Sequence, residues 1–81
     1  MTWILSARVL EDSFAIEVAD FLTDHGVVFE ETRAFGLREF RLRCTESDAL
    51  RLADALAFLG TQALFRDEGS CLLIVRPNGD N

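Results

Sequence analysis

At 81 residues and 49% hydrophobic content, the chain has room for one domain and one core, near the lower size at which a core holds without disulfides or metals. A formal net charge of −6 disfavours bare nucleic acid and anionic membranes as direct partners, since both need a basic footprint. All basic residues other than His25 are arginines, so no lysine is present for Schiff-base chemistry, and no apolar run approaches the roughly 20 residues that span a bilayer.

Residues 2–10 alternate, with Trp3, Leu5, Ala7 and Val9 on one side and Ser6 and Arg8 on the other, which predicts a first strand. Asp12 or Ser13 caps a helix running to about His25, whose apolar stripe is Phe14, Ala15, Val18, Phe21 and Leu22. Gly26 supplies the left-handed residue that stops it. Residues 27–35 and 38–44 are predicted as a hairpin turning at Gly36-Leu37, a type II′ turn that sets Glu30 opposite Arg43 and Thr32 opposite Arg41. That register also puts Glu31 and Arg33 on the side of Phe40 and Leu42, which requires a bulge or an edge position. A second helix, capped by Thr45 or Ser47, runs to about Leu59 and is ended by Gly60, with Ala49, Leu52, Ala53, Leu56 and Leu59 inward. Thr61 to Arg66 is a short strand, 67–70 a turn, and Cys71 to Val75 an apolar run suited to an interior strand. Residues 77–81 are expected to fray.

The order β-α-β-β-α-β with an extra C-terminal strand predicts a single α+β domain over 1–81, ferredoxin-like, with two helices on one face of a mainly antiparallel sheet. The stretch from Phe14 to Val27 resembles the helix and following turn of ACT regulatory domains, about a fifth of the chain. The resemblance implies a module that dimerises and binds a small ligand. Where those domains have an Asp-Arg-Pro-Gly type turn, this chain has Leu10-Glu11-Asp12-Ser13.

No phosphate loop, metal-ligand spacing or paired catalytic acids can be found, so no catalytic, cofactor-binding or metal-binding residue is assigned and an enzyme is not expected. His25, the single histidine, suits the negative end of its helix better than a general base. Cys44 and Cys71 lie in strand patterns and are expected as buried free thiols, with a Cys44–Cys71 disulfide left open. With an N-terminal segment lacking a basic, apolar leader, they point to a reducing cytoplasm.

What stands out is how charge is sorted. Residues 11–25 carry five carboxylates and no arginine, while 33–43 hold four of the eight arginines. Glu17, Asp20 and Asp24 fall on the outer side of the first helix, spread over about 10 Å. Such a row is either a solvated face or a coarse imitation of a phosphate backbone. Ile16 borders it, and Phe58, projecting between Arg51 and Asp54, is a candidate anchor, because aromatic residues are enriched in binding hot spots. The hairpin arginines lack the aromatic pattern of an RNA-recognition motif and are nearly neutralised by Glu30, Glu31 and Glu39, so cross-strand pairing is expected of them.

In size, acidity and α+β build the chain resembles the phage-encoded inhibitors of bacterial nucleic-acid machinery, of which anti-CRISPR proteins are the best known. The resemblance is one of style. It implies occlusion of a basic, nucleic-acid-binding surface on a larger protein or ribonucleoprotein through Glu17, Asp20, Asp24, Ile16 and Phe58, and leaves room for a homodimer.

Overall fold

The computed structural model describes residues 2–77, apart from the side chain of Thr61. In chain order the elements are β1 (Trp3–Val9), α1 (Asp12–Asp24), β2 (Glu30–Ala34), β3 (Leu37–Cys44), α2 (Glu46–Leu56), β4 (Gly60–Asp67) and β5 (Ser70–Pro77). The five strands form one mixed sheet in the order β2-β3-β1-β5-β4. The pairs β2–β3, β3–β1 and β5–β4 are antiparallel, and β1 and β5 run parallel.

This order departs from the expected ferredoxin-like one. The first half, β2-β3-β1, follows that arrangement, but the additional strand does not extend the sheet: β5 slots between β1 and β4 and pushes β4 to the edge. Leu72 and Ile74 on one side of β5 and Cys71, Leu73 and Val75 on the other make it apolar on both faces, as a strand flanked by two neighbours tends to be. Pro77, expected in a frayed tail, pairs with Gly60. Residues 78–81 lie outside the described part.

Alternate positions of three strands face the helices: Leu5, Ala7 and Val9 from β1, Phe40 and Leu42 from β3, and Cys71, Leu73 and Val75 from β5. They share one buried cluster with Phe14, Ala15, Val18 and Leu22 of α1 and with Ala49, Ala53 and Leu56 of α2. Both helices therefore cover the same face of the sheet. Phe29 packs edge-on against Phe40, with ring centroids 5.3 Å apart.

Local signals explain most boundaries, with exceptions. Glu11, not Asp12 or Ser13, occupies the position before α1 and makes no side-chain cap. Gly26 has φ +70° and ends α1 as expected. Thr45 caps α2 by accepting from the Asp48 amide at 3.1 Å. α2 stops at Leu56, three residues short of the expected Leu59, and Gly60 is the first residue of β4. The hairpin turns on Phe35-Gly36, with Ala34 opposite Leu37, so Glu30 faces Arg41 and Thr32 faces Glu39, a slip of two residues from the expected register. Both turn residues have positive φ, 55° and 80°, as a type I′ turn requires. The position of Glu31 and Arg33 is explained by β2 being an exposed edge strand.

Candidate functional site

Because α1 turns Phe14, Ala15, Val18 and Leu22 inward, helical geometry turns Ile16, Glu17, Asp20 and Asp24 to solvent, and all four are exposed. Ile16 is 62% exposed. The carboxylates of this region are not all unpaired as the sequence suggested, since Asp12 bridges to Arg33 at 3.5 Å. Glu17, Asp20 and Asp24 form no ion pair among the described residues. Phe58 is 90% exposed but lies in the turn after α2 rather than between Arg51 and Asp54 on the helix. The close approach of the Phe14 ring to Gly60 places this turn beside the first turn of α1, so Ile16 and Phe58 stand toward one end of the acidic row and Asp24 at the other.

The hairpin arginines are largely engaged. Arg38 meets Glu31 at 2.5 Å, and Arg8 and Arg41 both reach Glu39, at 3.2 and 3.3 Å. Glu39 is the one buried charged residue among those described, 1% exposed, on the sheet face opposite the helices. The Phe35 ring lies 5.0 Å from the Arg8 guanidinium carbon. Sequence reasoning counted Glu39 as a neutralising surface charge; only the β1–β3 register, which sets Arg8 opposite it, reveals the cluster. Arg66 pairs with Glu46, which leaves Arg43, Arg51 and Arg76 without a carboxylate partner among the described residues.

A pocket of about 580 Å³ opens where α1 ends, β3 ends and α2 begins, and His25, Cys44, Asp48 and Arg51 all line it. His25 stacks on Phe21, centroids 4.1 Å apart, and its Nδ1 lies 2.9 Å from the Phe21 carbonyl oxygen. A carbonyl only accepts, so Nδ1 carries the proton and the ring acts as a helix-end cap. Burial, then the charge of Asp48, pushes the Cys44 thiol up, so these groups do not form an activated nucleophile. No group of three or more histidine, cysteine, aspartate or glutamate side chains among the described residues could hold a metal ion.

Cys44 and Cys71 are free thiols on β3 and β5 with β1 between them, about 10 Å of sheet, beyond the roughly 7 Å that a disulfide spans. Burial pushes both upward from 9.0. With no lysine or tyrosine, they and the amino terminus are the groups that titrate above neutrality and below arginine. A raised thiol favours the folded state below the unfolded-chain value, and that contribution is lost as pH climbs through the folded value. The urea midpoint should therefore fall from about pH 9 upward, and the fall should flatten in the Cys44→Ala, Cys71→Ala double variant. An equal fall in both proteins would assign it elsewhere.

No protein-family model, curated protein or solved structure matches this chain. Among the described residues no helix is long and apolar enough to cross a membrane. The class that the fold defines is a small α+β domain with two helices on a five-stranded mixed sheet.

Proposed function

We propose that this is a non-enzymatic, cytoplasmic interaction protein that occludes a basic, nucleic-acid-binding surface of a larger protein or ribonucleoprotein, in the manner of anti-CRISPR inhibitors. The observation that carries the reading is the row Glu17, Asp20 and Asp24, exposed on α1 with no ion pair to an arginine among the described residues, while most arginines are consumed in other pairs, one of them with Asp12 at the start of the same helix. Unpaired surface carboxylates speed encounter with a cationic surface and make it salt-sensitive. Phe58 and Ile16 add apolar contact at one end of the row.

Reversal of Glu17, Asp20 and Asp24 to arginine should slow association with such a partner about tenfold or more at low salt while leaving the fold intact. Phe58→Ala should hasten dissociation with little effect on association. Partners recovered on the immobilised protein would be tested by surface plasmon resonance at two salt concentrations. Kinetics of the triple variant that match wild type at both would remove the basis of the proposal.

A further inference from the structure

β3 is longer than its edge partner. The last β2–β3 pair is Glu30 with Arg41, yet β3 continues to Cys44 along β1. The Ile4 amide donates to the Gly69 carbonyl and the Leu10 amide to the Val75 carbonyl, so even-numbered residues of β1 turn their backbone groups toward β5. Trp3, Leu5, Ala7 and Val9 then bond to β3, and through the register so do Cys44, Leu42, Phe40 and Arg38 from the other side. Leu37, Glu39, Arg41 and Arg43 must face outward. The first three have β2 beside them, whereas Arg43 does not.

Residues 27–29 peel away at this point. Val27 donates its amide back to the Leu22 carbonyl, and Val28 is 90% exposed. Among the described residues no backbone group meets the outward N–H and C=O of Arg43. Arg43 is one of the residues that line the 580 Å³ pocket. Val27, Leu52 and Ala55 line the same pocket and offer an apolar bed, and Arg51, which has no carboxylate partner among the described residues, lines it too.

An unpaired N–H and C=O recognise an amide, the apolar bed takes an aliphatic side chain, and Arg51 takes a carboxylate. Asp48 on the same wall disfavours a second anionic group, which rules against a polyanion. We propose that the pocket binds the free carboxyl end of an extended peptide with an aliphatic last residue, which continues the sheet by pairing with Arg43 where β2 stops. The volume suits one or two residues, since ligand sites commonly enclose about 300–1,000 Å³. The site lies at the end of α1 away from Phe58 and stands or falls separately from the acidic-row reading.

The test is a titration of the full ¹⁵N-labelled chain with acetyl-Ala-Ala-Leu, with the same peptide as its carboxyl amide, and with hexanoate. The free-acid peptide should shift the Arg43 and Val28 amide resonances in a saturable way. The amidated peptide should bind about fivefold more weakly, the size of one partly exposed ion pair, and Arg51→Gln should weaken the free acid by the same factor. Hexanoate should leave the Arg43 amide unmoved. Equal affinity for acid and amide, an Arg43 amide that does not respond, or hexanoate binding as tightly as the peptide would each overturn the proposal. Arg51 is exposed, so its variant should keep the wild-type thermal midpoint and the comparison stays readable.

Discussion

Gly60→Ala should destabilise the protein by about 3 kcal/mol or more, a large part of the roughly 5–15 kcal/mol that holds a small domain together. Gly60 is buried at the start of β4 opposite Pro77. A Cβ there would lie 2.2 Å from the Arg76 carbonyl oxygen and 2.9 Å from the tip of the Phe14 ring. The oxygen belongs to β5, which is held by strands on both sides, and Phe14 is a core residue, so neither can yield without moving the centre of the molecule. Gly69→Ala is the matched control: φ is +70° there, but nothing lies within 4 Å of the added carbon. It should cost only the about 1–2 kcal/mol of a left-handed residue. Urea unfolding of the two variants side by side decides the matter, and equal losses would mean that crowding at Gly60 is relieved cheaply.

Arg8→Met should cost about 2–4 kcal/mol, against under about 1 kcal/mol for Arg41→Met. Both arginines reach the Glu39 carboxylate, whose side chain is 2% exposed, but that of Arg8 is 25% exposed and that of Arg41 is 51%. Water already screens the second pair. Removing Arg8 leaves a buried carboxylate with a single, half-solvated partner, and also removes the cation beneath the Phe35 ring. The lower figure is set below that of a fully buried pair because Arg8 itself touches solvent. Adding Glu39→Leu to Arg8→Met should recover most of the loss, since an apolar pair of similar size does not need the desolvated charge. If the double variant is no more stable than Arg8→Met alone, the damage lies in packing around the arginine stem rather than in the stranded carboxylate.

Periodicity was enough to read β1 and both helices, because an amphipathic face is written locally in the spacing of apolar residues. The outward placement of Glu17, Asp20 and Asp24 followed from the same spacing. The hairpin register was not legible. Placing the turn at Gly36-Leu37 relied on glycine as the first left-handed residue, whereas Phe35 adopts that conformation, with Arg33 Nη1 donating to the Gly36 carbonyl at 3.0 Å beside it. Glu39 and the open rung at Arg43 depend on which strands are neighbours, and a residue's own sequence context carries little of that. The position of β5 had one hint, its apolar run on both faces, which spoke for an interior strand without saying between which two.

The interior position of β5 also sets when this chain can fold. Ile4 pairs with Ser70 and Val9 with Val75, so the first strand waits for nearly the last described residues before its second ladder forms. Until then a nascent chain can assemble β1, β2 and β3 under α1, but the share of the core that belongs to Cys71, Leu73 and Val75 is missing. Such long-range parallel pairing carries a high loop-closure cost and slows folding relative to helical domains of this size. On the ribosome the β1–β5 ladder can therefore form only after β5 has left the exit tunnel.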